Sequence, residues 1–170
     1  MKISEEFDNI VAFAREEAMR TGSYSIEADH LFLGILRHAH NPAVEELRSL
    51  GVDTAACKSE IDSVLLHEHS IPYDSEDDIR LGREGSNTVS LAIAEAIAEG
   101  SEEAGAMHIL KAVCKQEKSR SSEYLRRHGL CSGILSKRGA RKKSRNDLGP
   151  KEVGLLISAI KFNSDKTIVS

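Results

Sequence analysis

The chain has 170 residues, of which 40% are hydrophobic and only 4% aromatic, so aliphatic side chains must fill its core. Its net charge of −4 is uneven: residues 136–170 hold nine Lys or Arg against three Asp or Glu, so they carry +6 and residues 1–135 carry −10. Three scattered cysteines exclude a disulfide framework, and no apolar run reaches the roughly 20 residues of a membrane span. An Ala-rich core favours closely packed helices, and the polar N-terminus predicts a cytoplasmic protein without a secretory leader.

Four helices are predicted in the first part of the chain. Apolar residues at helical spacing predict the first helix over residues 5–20, with Gly22 ending it in the left-handed conformation. The same spacing and the capping residues predict further helices over residues 27–37, 43–50 and 53–66.

The rest of the chain is predicted to hold a charged connector, four more helices and a basic tail. Residues 67–85 contain the acidic cluster 74–78 and are expected to lie outside the core. Residues 138–170 are expected to be a flexible basic segment and tail, in which the apolar stretch 151–162 is compatible with a ninth helix or a short strand. The four further helices are predicted near residues 86–99, 105–117, 119–128 and 131–137.

The helices belong to two copies of one unit. When the sequence is shifted by 78 residues, positions 8–51 show 13 identities in 44, where chance gives roughly three at a typical composition. This repeat predicts an all-α, pseudo-twofold domain over residues 1–137, made of repeat one at about 5–66 and repeat two at about 86–137.

Several short segments of the sequence resemble one known family, the N-terminal domain of the Clp ATPases. Each copy places a histidine eight residues after the glycine that ends its first helix. Ala-Arg-Glu-Glu-Ala at 14–18, Asp-His-Leu-Phe-Leu-Gly-Ile-Leu at 29–36 and Leu-Gly-Val-Asp at 50–53 are the most specific matches. The resemblance covers about residues 5–137 and is strongest in the first copy.

The resemblance implies a non-enzymatic module that binds Clp ATPase or protease subunits, adaptors or substrate proteins. No G-x-x-x-x-G-K-[ST] phosphate-binding loop occurs in the sequence, so we expect no nucleotide chemistry. Because the chain begins at Met1, we expect a free-standing copy of the domain, which acts as an accessory subunit of Clp complexes without any cofactor.

We expect partners to bind in an apolar groove between the copies, where the second and sixth helices begin. The family usually has Thr-Glu-His at these helix starts, and in some members the carboxylate contacts phosphorylated arginine. Here Asp29 retains a shorter carboxylate and Met107 has none. The candidate contact residues are Tyr24, Ile26, Asp29 and Phe32 in repeat one and Glu102, Glu103 and Met107 in repeat two.

The repeated histidines invite a catalytic interpretation, but no nucleophile or second acid accompanies either of them. We therefore expect His30 and His108 to be buried structural residues that hydrogen-bond to the backbone, with Gly22 and Gly100 as helix terminators. The pairs His38/His40 and His67/His69 are spaced two apart, which points helical side chains away from each other, so we expect no metal site.

The basic run 137–145 offers an alternative function. Its six cations within nine residues are able to bind nucleic acid through phosphates, without sequence preference. No aromatic residue interleaves them, so stacking on bases is not available. A solubilising linker, or contact with the acidic body, explains the run equally well.

Overall fold

The computed structural model describes residues 1–38, 40–67 and 69–136. The basic run 137–145 and the apolar stretch 151–162 lie outside the described residues. The predictions about the tail, including its nucleic-acid contacts, concern these residues outside the described part of the chain.

Eight α-helices make up most of the described chain, and the prediction of an all-α, duplicated four-helix fold is confirmed. The fifth helix begins three residues earlier than predicted and the sixth ends three residues earlier. The helices are α1 (Glu5–Thr21), α2 (Ala28–Arg37), α3 (Pro42–Ser49), α4 (Thr54–Leu65), α5 (Arg83–Ala98), α6 (Ala106–Cys114), α7 (Arg120–Arg127) and α8 (Cys131–Ser136).

Four two-residue strands join the two repeats and were not predicted. They are β1 (Lys2–Ile3), β2 (Ser25–Ile26), β3 (Arg80–Leu81) and β4 (Glu103–Ala104). The strand β1 pairs in parallel with β4, and β2 pairs in parallel with β3. The shift of 78 residues converts one pair into the other, so the leading strand of each repeat pairs with the other repeat.

Helix capping also takes place between the two repeats. The backbone N–H of Ala106, at the start of α6, donates to the Glu6 carboxylate of repeat one over 3.0 Å. At the equivalent position of repeat two, Glu84 accepts from the backbone N–H of Ala28, at the start of α2. These carboxylates satisfy helix-start donors that have no partner within their own helix. Each repeat thus completes the central helix of the other, which makes the two repeats one packed unit.

The predicted connector is partly core, and this corrects the expectation that it lies outside. Ile71 and Ile79 are buried in the common core, and β3 and the start of α5 correspond to the first residues of repeat two. The acidic residues do lie outside the core, in a 3-10 helix over Tyr73–Asp78 that has no buried residue. Polar composition hid the two isoleucines, because isolated apolar residues produce no periodic pattern.

One continuous hydrophobic core runs through both repeats. The helices α2 and α6 lie at its centre and pack on each other, while α1 covers α2 and α5 covers α6. Large side chains from both repeats are fully buried there, including Phe7, Ile10, Phe32, Leu47, Ile93 and Ile109.

Candidate functional site

The two repeated histidines hold the starts of the central helices. The N–H of Glu27 donates to His30 Nδ1 over 2.9 Å, and the N–H of Gly105 donates to His108 Nδ1 over 2.9 Å. The Nδ1 atom of each histidine therefore accepts from the backbone N–H of the residue that precedes its helix, a donor that has no partner within the helix. This geometry is the one expected of a structural histidine.

The second nitrogen of each ring is also occupied. His30 Nε2 lies 3.3 Å from Thr21 Oγ1, and His108 Nε2 lies 3.0 Å from Glu99 Oε2. Burial lowers the pKa of His30 to about 4, against smaller opposing effects of Asp29 and Glu17. Burial also lowers the pKa of His108, against the opposing effect of Glu99. Both rings are neutral near pH 7, and neither has a nitrogen left for a substrate.

The carboxylate of Asp29 is bonded inside the fold, and its predicted role as a contact residue stays a prediction. Its side chain accepts from the Ser121 N–H over 2.8 Å, the Ser121 hydroxyl over 2.7 Å and the Arg120 N–H over 3.2 Å. The residue is only 7% exposed, and its carboxylate is committed to the start of α7. A phosphorylated arginine would compete with the start of α7 for this carboxylate.

The second repeat explains why Met107 replaces that carboxylate. Under the shift of 78 residues, Met107 corresponds to Asp29, and the start of α7 corresponds to the start of α3. The helix α3 begins at Pro42, which has no N–H to be satisfied. Its start is capped by Asn41, whose side chain accepts from the Val44 N–H over 3.0 Å, just as Ser119 accepts from the Ser122 N–H at the start of α7. Pro42 and Ala43 therefore lack the counterparts of two of the three donors to Asp29, the Arg120 N–H and the Ser121 hydroxyl.

Two other predicted contact residues belong to the core. Ile26 and Phe32 are buried, Ile26 because it is the inward residue of β2 and Phe32 because it lies on the central helix α2. No partner reaches either side chain in the folded chain, so their assignment to a groove is wrong. The remaining predicted residues are exposed or half-buried: Tyr24, Glu102, Glu103 and Met107.

The structure shows instead a groove of about 290 Å³ on repeat one, which sequence reasoning missed. Its apolar lining comes from Met19 of α1 and Ile71 of the connector, and the ring of Tyr73 stands 79% exposed beside them. The polar part of the groove consists of Glu16, Arg20, Arg37 and Ser70.

The connector forms one wall of this groove because it is bonded to the end of α1. The His67 N–H donates to the Thr21 carbonyl over 3.0 Å, and the Ile71 N–H donates to the Met19 carbonyl over 2.9 Å. Gly22 permits this approach: its φ is 82°, and a Cβ there would lie 2.5 Å from the His69 carbonyl oxygen. The conformation and the space both require glycine.

The guanidinium groups of the groove are held by carboxylates. Arg20 lies 2.7 Å from Asp62, and Arg37 lies 2.9 Å from Glu16. The buried Glu17 contacts both arginines. These ion pairs orient the two guanidinium planes while leaving each side chain more than one third exposed.

A smaller pocket of about 40 Å³ lies between α4 and α7. Its lining includes Ile61, Val64 and Tyr124 and the ion pair between Glu60 and Arg127. The ion pair and the small volume leave little room for a side chain of a partner.

Two further properties concern the described residues only. Within residues 1–38, 40–67 and 69–136, no three His, Cys, Asp or Glu side chains are grouped as metal ligands. Over the same residues, no helix has the length and apolar character needed to cross a membrane.

Two interlocked four-helix repeats with neutral, internally bonded histidines define a duplicated all-α domain. The chain belongs to the Clp repeat (R) N-terminal domain family, whose profile matches residues 2–128. It is 24% identical over 164 residues to the negative regulator of genetic competence ClpC/MecB of Bacillus subtilis, a match that covers 96% of this chain and 19% of that protein. It is also 24% identical over 129 residues to the chaperone protein ClpB of Oceanobacillus iheyensis, covering 76% of this chain and 16% of that protein. The chain thus spans less than a fifth of the length of either relative.

Proposed function

We propose that this chain is a protein-binding module of the Clp chaperone and protease system. It recruits or regulates substrates or adaptors, or docks on a Clp ATPase, in the cytoplasm. The family supports this proposal, as do the relatives, one named as a regulator and the other as a chaperone.

The groove beside α1 is the observation that carries the proposal. Protein partners gain affinity from a few apolar or aromatic anchors in a pocket, and charged groups at its rim fix their orientation. Met19 and Ile71 supply an apolar floor, Tyr73 an exposed aromatic ring, and Arg20 and Arg37 two oriented guanidinium groups. A volume of about 290 Å³ accommodates one or two side chains of a bound polypeptide.

A second surface stays a prediction. Tyr24 and Glu102 occupy equivalent positions of the two repeats, and both are exposed, as is Glu103. Half-buried Met107 lies on the next helix. These residues lie in or beside the strands β2 and β4 and are accessible to a partner. The groove is favoured over them because it combines concavity, an apolar floor and charge.

We also propose that the chain catalyses no reaction. His30 and His108, the repeated residues with catalytic potential, use both ring nitrogens within the fold. Burial lowers the pKa of each ring, which removes the imidazolium form that a general acid near neutral pH requires.

The proposal is tested by capture of partners with the tagged full chain from its native lysate, at low and high salt, with identification by mass spectrometry. Tyr73→Ala is the groove variant, and Tyr24→Ala is the matched control, since both tyrosines are exposed. We expect the unaltered chain and Tyr24→Ala to retain a Clp ATPase, a Clp protease subunit or a Clp substrate, and Tyr73→Ala to lose most of it.

Two outcomes would overturn the proposal in different ways. If Tyr73→Ala retained as much Clp protein as the unaltered chain and Tyr24→Ala lost it, the binding site would lie at the surface around β2 and β4. Recovery of nucleic acid alone, released by high salt, would contradict a role in protein binding.

A further inference from the structure

The groove on repeat one borders the densest run of acidic residues in the described part of the chain. Tyr73, which lines the groove, is also the first residue of the exposed 3-10 helix Tyr73–Asp78. That helix holds four carboxylates, and Arg80, whose guanidinium donates to the Asp77 backbone carbonyl, offsets part of their charge. A ligand that lies along this wall and enters the groove therefore needs positive charge next to an apolar group.

The arginines of the groove do not reverse this preference. Arg20 is paired with Asp62, Arg37 is paired with Glu16, and the buried Glu17 contacts both arginines. Three carboxylates thus face two guanidinium groups, so this part of the rim carries no net positive charge. The groove and the acidic 3-10 helix together form a surface with an apolar floor and negative surroundings.

One segment of this chain has the composition that such a surface accepts. The basic run 137–145 holds six Lys or Arg and no Asp or Glu, and the apolar stretch 151–162 follows after five residues. That stretch contains the adjacent aliphatic residues Leu155 and Leu156. Residues 136–170 carry +6 against −10 on the rest of the chain, so the tail and the body attract each other as a whole.

The tail is long enough to reach the groove. The described chain ends at Ser136 in α8, which packs on α6, and α6 packs on α2, whose last residue Arg37 lines the groove. Two distances between packed helices, about 10 Å each, and the length of α2, about 15 Å, give a path of roughly 35 Å. Residues 137–150 span up to roughly 46 Å when extended, so the apolar stretch that follows them can enter the groove.

We propose that the tail of this chain docks on its own groove. The basic run 137–145 lies along the acidic 3-10 helix, and aliphatic side chains of the stretch 151–162 enter the groove over Met19 and Ile71. The contact forms within one molecule, because a short tether keeps its segment at an effective concentration of about the millimolar range. A partner that binds the groove must displace the tail, and this regulatory consequence rests on the proposed function.

The test is carbodiimide crosslinking of the purified full chain, which joins a lysine amine to a carboxylate in direct contact, followed by mass spectrometry. We expect links from Lys142 or Lys143 to the acidic residues 74–78, and their loss at about 1 M salt, where the screening length is about 3 Å. The ion pair between Lys115 and Glu95 lies in the body, so its link at low salt shows that the reagent has reacted. Mixing unlabelled chain with chain labelled with heavy nitrogen distinguishes links within one molecule from links between two.

Matched variants test the apolar contact while every crosslinked residue stays in place. Leu155→Asp/Leu156→Asp is expected to lose most of the tail links. Ile168→Asp/Val169→Asp adds the same charge beyond the apolar stretch and is expected to retain them. In capture from the native lysate, the first double variant is expected to retain more Clp protein than the unaltered chain, since its groove is open.

The outcomes separate this inference from the proposed function. Absence of tail links in the unaltered chain, when the link between Lys115 and Glu95 forms, would overturn the inference and leave the proposed function untouched. Links between two molecules only, or tail links that persist in Leu155→Asp/Leu156→Asp, would overturn it as well. Tail links in a chain that captures no Clp protein would support the docking of the tail and contradict the proposed function instead.

Discussion

Removing the Asp29 carboxylate distinguishes a helix cap from a ligand-binding residue. In Asp29→Ala, the Ser121 N–H and hydroxyl lose their acceptor while Ser121 remains fully buried. A buried donor without a partner costs about 1–3 kcal/mol. Ser119 still caps α7 and stays 3.4 Å from the Ser121 hydroxyl, so the cost comes mainly from the Ser121 N–H and its weakened hydroxyl bond. The Arg120 N–H is at the exposed end of its helix, so water replaces its bond. We expect a loss of about 3 kcal/mol in the free energy of unfolding, equivalent to roughly 10 °C in melting temperature.

The assay is thermal and urea unfolding followed by far-UV circular dichroism, since the chain has no tryptophan. Asp29→Asn is the matched control, because its amide oxygen still accepts one of the bonds, and its loss is expected to be about 1 kcal/mol. Met107→Leu, at the equivalent position of repeat two, is expected to change stability by less than about 1.5 kcal/mol. If Asp29→Ala melted with the unaltered chain and lost partner binding, the assignment of Asp29 as a cap would be refuted.

Three further predictions concern the backbone, the histidines and the connector. Gly22→Ala should destabilise more than Gly51→Ala in urea unfolding: both glycines have positive φ, but a Cβ at Gly22 meets the His69 carbonyl whereas Gly51 has open space. Equal losses would show that the connector does not press on the end of α1. Because the pKa of His30 is depressed in the folded chain, the unfolded chain binds more protons at low pH. The free energy of unfolding should therefore fall by about 3 kcal/mol as the pH is lowered from about 6.5 to about 4. His30→Gln should flatten this part of the profile of unfolding free energy against pH, and an unchanged slope would contradict the neutral buried ring. Ile79→Ala should cost about 2–5 kcal/mol, because Ile79 is fully buried, and a loss below about 1 kcal/mol would place it outside the core.

The sequence was sufficient to predict the helices and the duplication. Helical spacing of apolar residues and the glycines after helices are local signals, and the shift of 78 residues made each copy support the other. The roles of His30 and His108 as structural residues followed from the same repeat, because no second reactive group was repeated with them.

The exchange between repeats was not predictable, since it depends on tertiary contacts. Strands of two residues carry no periodic pattern, and nothing local links Glu6 to the start of α6 or Asp29 to the start of α7. One signal was present in the sequence. Repeat two has Met107 where repeat one has Asp29, and α3, the helix that a carboxylate at position 107 would cap, begins with Pro42. Interpreting that pair required the fold. The groove was also missed, because the connector that forms its wall is polar in composition and its packing on α1 is a tertiary contact.

Photo-crosslinking in the native lysate tests most directly whether the groove binds a protein of the Clp system. A photoreactive phenylalanine analogue replaces Tyr73 in one sample and Tyr24 in the other, and the crosslinked proteins are identified by mass spectrometry. We expect position 73 to crosslink to a Clp ATPase, a Clp protease subunit or a Clp substrate, with little product from position 24. Crosslinks from position 24 alone, or none to any protein of the Clp system from position 73, would contradict it.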